Sequence, residues 1–108
     1  MSGSGSGGGG SGPDRDDWSC ATLRFEALIA SPQPAVVANL AVGEVLLIAT
    51  ATMNGQTVVQ VLKGPQLVGG LAGPEANRLR NCIEQGHEYE ATVRSINAGQ
   101  VRVLVEHT

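Results

Sequence analysis

The chain has 108 residues, of which residues 2–12 are seven glycines and four serines and nothing else. That run reads as a flexible engineered linker over residues 1–13, expected to be disordered, and leaves room for one small domain over residues 18–107 but not two. Seven basic against ten acidic residues give a formal net charge of −3, which argues against the phosphate-neutralising excess typical of nucleic-acid binders.

Twelve valines, four isoleucines and six threonines favour pleated, half-buried strands. From Cys20 to Ile29 apolar residues alternate: Leu23, Phe25, Ala27 and Ile29 point one way, and Thr22, Arg24 and Glu26 the other. The spacing predicts a strand with one wet face, ended by Pro32 and Pro34. Pro34 to Leu40 fits one helical turn with Pro34 at its first position. Val45 to Met53 reads as a second strand, apolar on both faces at first and so expected to be central. Asn54-Gly55 signals a type I′ hairpin turn, followed by strands over Gln56–Leu62 and, after Lys63-Gly64-Pro65, from Gln66 to about Gly69.

Pro74 and Glu75 open a helix over about residues 74–85, with Ala76, Leu79 and Ile83 as its apolar stripe and Gly86 as its stop. A strand from Glu88 to Ile96 alternates through Tyr89, Ala91 and Val93 and slips phase at Ile96, which predicts a bulge there. Asn97-Ala98-Gly99 turns the chain into a last strand whose inner face is Val101, Val103 and Val105. The expected architecture is mostly β, a small six-stranded barrel-like domain with one helix.

Chemistry is sparse. His87, Glu88, Tyr89 and Glu90 are crowded, but alternation puts the two glutamates on one face and His87 with Tyr89 on the other, so the four do not converge. Gly69-Gly70-Leu71-Ala72-Gly73 before a helix superficially resembles a phosphate cradle, yet it lacks a lysine and Pro74 removes a donor. No nucleophile elbow, zinc-protease helix or P-loop is present, so no enzyme is expected. Two cysteines and two histidines offer no four-ligand zinc spacing, so neither a metal nor another cofactor is expected. Cys20 and Cys82 permit one disulfide or two buried thiols; the reduced reading is preferred, and with it a cytoplasmic location. The N-terminus has no apolar leader and no run long enough to span a membrane.

Five arginines are the candidate contacts for a polyanion: Arg24, Arg94 and Arg102 on one outer strand face, and Arg78 and Arg80 on the helix. The competing reading of the first three is solubilising charge interspersed with Glu88, Glu90 and Glu106, and exposed aromatics for base stacking are missing.

Val42-Gly43-Glu44 leading into a long apolar strand, Gln66-Leu67-Val68-Gly69-Gly70-Leu71, a helix ending in Gly86 and Tyr89-Glu90-Ala91-Thr92-Val93 together resemble the HIRAN domain over about Val42 to Glu106. The resemblance implies a six-stranded barrel-like module and binding of single-stranded DNA ends. Two features depart from the family: the Asn-Pro-Tyr-Asp-like segment has no counterpart, its place being taken by the Asn54-Gly55 turn, and Gly70 stands where the family carries an aromatic. Both remove groups that would hold a base.

The sequence therefore predicts a non-catalytic recognition module of a larger, bacterial-type protein. Its expected partner is a protein or a native neighbouring domain, reached by strand addition at an exposed sheet edge, with self-association through the same edge open. A HIRAN-like DNA-binding domain is the alternative.

Overall fold

A computed structural model describes residues 19–108; the linker, the acidic residues Asp14, Asp16 and Asp17, and Trp18 lie outside the described residues. The elements run β1 (Arg24–Leu28), α1 (Pro34–Val37), β2 (Val45–Met53), β3 (Gln56–Lys63), β4 (Gln66–Leu71), α2 (Pro74–Glu84), β5 (Tyr89–Asn97) and β6 (Gln100–His107). The six strands form one antiparallel sheet in the order β1-β6-β5-β2-β3-β4.

The hairpin signals are where the sheet starts. Asn54 and Gly55 both sit at positive φ, 52° and 79°, the pair of left-handed residues a type I′ turn needs. That turn sets Met53 opposite Gln56 and carries the β2–β3 register up to Leu47 opposite Leu62. Val101, Val103 and Val105 are all fully buried, with Val93, Ala91 and Val61 beside them. Helix α2 lays Ala76, Leu79 and Cys82 into the same core; Cys82 takes the buried position expected of Ile83, which is only partly covered.

The ends of the sheet curl toward each other. Ala30 exchanges two backbone hydrogen bonds with Gly70 (2.8 and 2.9 Å) and the Gln33 N–H donates to the Val68 carbonyl (2.8 Å). This stitches the residues after β1 to β4 and gives the molecule its barrel-like shape. The stitch stops there: β1 itself pairs only with β6, so along Arg24–Leu28 the strand ladder is open.

Three details correct the sequence reading. The strand expected from Cys20 starts only at Arg24, because residues 19–21 form a helical turn that Cys20 anchors. Cys20 and Cys82 are joined in a disulfide, with Cα atoms 5.5 Å apart, so the reduced reading is overturned. The register slip in β5 falls between Val93 and Ser95, two residues before Ile96. Strand β2 lies between β5 and β3, central as expected, while its outward residues Val45 and Leu47 stay 55% and 57% exposed. They are an uncovered outer face, not a second core.

The loop before β2 is held by a polar clasp. Lys63 at the end of β3 bonds the Glu44 carboxylate and the Asn39 carbonyl, while the Ala41 N–H donates to the other Glu44 oxygen (3.1 Å). The Lys63 bond first, and the Ala41 N–H second, hold the Glu44 carboxyl below its ordinary 4.5. A carboxyl lowered by folding adds stability that is present above its unfolded pKa and is lost as the pH falls through the folded one. Glu44→Gln should therefore be less stable than the parent at neutral pH, and the difference should close in acid, below the ordinary carboxylate range. Urea midpoints of the two proteins at pH 7 and pH 3 check it; a gap that stays constant would deny the clasp its ionic character.

Candidate recognition surface

Strand β1 is an edge of the sheet, paired with β6 on one side. Ile29 N–H bonds Val101 on β6, whereas the Ala30 N–H and C=O face the other way, toward Gly70. Backbone groups alternate along a strand, so the N–H and C=O of Arg24, Glu26 and Leu28 share the direction of Ala30 and point away from β6. Among the described residues no strand pairs with them. All three residues are exposed. The strand is short and carries two charges, features that keep an edge from pairing indiscriminately.

Where this edge meets the Ala30–Gly70 stitch, the outer surface dips into a groove of about 290 Å3 whose lining includes Ala30, Met53, Val58, Gln60, Leu67 and Gly70. Its lining is mainly apolar. Gly70 lines the groove without a side chain, and Met53 and Leu67 rise at its margin, 52% and 37% exposed. Leu28, 49% exposed, lies just before the stitch. Met53 and Leu67, both lining the groove, are large apolar side chains brought together rather than scattered, which marks a contact surface.

The predicted arginines do not make one groove. Arg24 pairs with Glu106 across β1–β6 (3.1 Å), and Arg94, in the β5 bulge, reaches Glu26 on β1 (3.8 Å). Arg102 faces the same side, opposite Leu28 and Ser95. Hence the three do share an outer face, but carboxylates answer two of them. On α2, Arg78 bonds the Ser19 hydroxyl and Arg80 lies 3.5 Å from the Thr57 carbonyl. The helix pair and the strand trio belong to different surfaces.

No family model matches the chain, and no curated protein or solved structure matches it. What the site can do must be read from its own atoms. Among the described residues no group of three or more His, Cys, Asp or Glu side chains converges as a metal site, and no helix is long and apolar enough to cross a membrane. Glu88 is exposed and Glu90 half-buried, while Tyr89 is buried, as alternation requires. Burial pushes the Tyr89 phenol above its ordinary 10.0, and as a protonated donor it bonds the Cys20 carbonyl at 2.6 Å. It is a structural group.

Sequence reasoning missed which strand would be the edge. The signal was faint: two prolines after Ile29 and two glycines in β4 leave a seam, but only the long-range stitch shows where the ladder ends.

Proposed function

We propose that this domain is a non-catalytic module that binds an extended segment of a second polypeptide, adding it as a strand to the open edge of β1 and seating one of its apolar side chains in the adjoining groove. The observation that carries the reading is the unpaired backbone of Arg24, Glu26 and Leu28 running up to a mainly apolar groove. In strand addition the main-chain bonds supply affinity and a side-chain pocket supplies selectivity, and both parts lie side by side here. The disulfide favours an oxidising compartment over the cytoplasm expected from the sequence.

DNA binding in the manner of a HIRAN domain is the alternative. It rests on the sequence resemblance and on Arg24, Arg94 and Arg102 sharing one face; Glu26 and Glu106 on that face weaken it.

The deciding experiment selects displayed peptides of about ten residues against the whole chain, then measures the best of them on Glu26→Pro. Proline deletes one edge N–H and leaves every β1–β6 bond in place. Binding should weaken about tenfold, as loss of one backbone bond worth roughly 1 kcal/mol plus a blocked approach implies, while the melting temperature stays put. Alternate N-methylation of the peptide should have the same effect without touching the domain. Binding indifferent to both changes would overturn strand addition. The same anisotropy assay with single-stranded DNA at about 50 and 200 mM salt reads the alternative, since phosphate contacts lose affinity steeply over that range.

A further inference from the structure

The outer face of β1 carries two charges of opposite sign, Arg24 and Glu26, both exposed, with the half-buried Phe25 between them on the inner face. Each charge has one ionic partner in its own chain: Glu106 on β6 lies 3.1 Å from Arg24, and Arg94 on β5 lies 3.8 Å from Glu26. Both partners belong to the strands on the paired side of β1. Among the described residues no second ion pair reaches either charge. The backbone N–H and C=O of the same two residues turn away from β6, as the Ile29 bond to Val101 and the Ala30 bonds to Gly70 require. A charge pattern and a row of backbone donors and acceptors therefore sit on one five-residue edge.

We propose that this edge is complementary to itself: two copies of the chain pair through β1, with Phe25 opposite Phe25 and each Arg24 opposite the Glu26 of the second copy. The pairing rests on β1 being the receiving edge proposed above, and the self-paired dimer is then the closed state of that site, which an incoming peptide has to displace. A twofold axis makes the two strands antiparallel. Only the even-numbered residues of β1 turn N–H and C=O outward, so they must face even-numbered residues of the second copy, and the permitted registers differ by steps of two. One step to one side sets Glu26 against Glu26, and one step to the other sets Arg24 against Arg24. Like charges directly opposite are destabilising. A further step toward Leu28 runs into Ala30, whose N–H and C=O are already taken by Gly70. In the register that remains, Arg24 and the facing Glu26 exchange both backbone hydrogen bonds, and the two Phe25 side chains meet in the closely spaced pair between them. Glu106 and Arg24 of one copy then continue into Glu26 and Arg94 of the other, a row that alternates in sign across the joint. An interface of two such short strands is small, so the dimer is weak and reversible, which leaves the edge open to competition.

Sedimentation equilibrium of the full chain from about 10 µM to about 1 mM spans the affinities of so small an interface, and the parent should pass from monomer to dimer within it. Arg24→Glu and Glu26→Arg should each weaken the dimer by about tenfold, because each sets like charges opposite at both pairs. An equimolar mixture of the two variants should recover the parent's affinity, since every glutamate of one then faces an arginine of the other. Melting curves of the separate variants show that the exposed pairs to Glu106 and Arg94 are not what holds the fold. A chain that stays monomeric throughout, a dimer indifferent to the single changes, or a mixture no tighter than either variant alone would overturn the self-pairing. The peptide selected on the parent separates this outcome from the function proposed above: it should convert the dimer to monomer, and its apparent affinity should fall as the concentration of the chain rises. Peptide bound at β1 of a chain that never dimerises would strike the self-pairing and keep strand addition. A dimer with the stated charge dependence that the peptide leaves intact would keep the pairing and strike peptide capture at β1.

Discussion

Replacing both Cys20 and Cys82 with alanine is expected to destabilise the domain by about 4 kcal/mol. The bond closes a loop with a sequence separation of 62, and the chain-entropy relation for a loop of that length gives a value of this size. In a domain of this size 1 kcal/mol moves the melting temperature by about 4–8 °C, so the variant should melt at least ~15 °C lower. A small core makes the effect large, since a domain of about 90 residues has little surplus stability to absorb it. Alanine is the right replacement because both cysteines are almost completely buried, and serine would add an unsatisfied hydroxyl to the same measurement. Thermal melts by circular dichroism, with the parent in the presence and absence of reductant as a second arm, check it. Reduced parent and double variant should coincide; a fall of less than about 5 °C would mean that residues 19–22 are tied to the core mainly by the Tyr89 bond to the Cys20 carbonyl.

The features that were legible in the sequence are the ones decided within a few residues of themselves. Asn54-Gly55 determines its own turn, and with it the β2–β3 register. Pro74 and Glu75 start α2 at the expected residue, and the alternating valines of β6 point inward because period-two patterning and burial agree. The features that were illegible are pairings over long separations. Nothing local in Cys20 or Cys82 says that a helical turn will bring them together, and nothing in His87 says that β6 will end opposite it. Arg24 and Arg94 were recognised as outer-face charges, but their partners depend on register: Glu106 lies opposite Arg24 in the ladder, and Glu26 is within reach of Arg94 at the β5 bulge. The exposure of the outer face of β2 is illegible for a related reason. Apolar residues on both sides mark the strand as central, which it is, and only the arrangement of layers shows that Val45 and Leu47 stay more than half exposed.

The seam offers the second large effect, through one hydrogen atom. Gly69→Ala should destabilise the domain by about 3 kcal/mol, the upper part of the range for overpacking a tight site, while Gly70→Ala next to it should cost under ~1 kcal/mol. The reason is space. A Cβ on Gly69 would stand 2.3 Å from the Ile29 Cγ2 and 2.7 Å from the Ala30 carbonyl oxygen. Ile29 is buried, and a β-branched side chain in a packed core has few other rotamers to take. The Ala30 oxygen is backbone and accepts the Gly70 N–H at 2.9 Å, so it can retreat only by giving up that bond and loosening the Gln33 bond to Val68 behind it. On Gly70 the nearest atom is the Val59 carbonyl oxygen at 3.4 Å, which needs to yield very little. Urea unfolding of both variants measures the difference, and amide exchange locates it: in Gly69→Ala the amides of Ala30, Gln33 and Gly70 should exchange faster than the parent's, while those of Val101 and Val103 on β6 keep their protection relative to global unfolding. Equal stability of the two variants would mean that the stitch between β1 and β4 is soft, and that the edge proposed to receive a strand extends past Leu28 to Gln33.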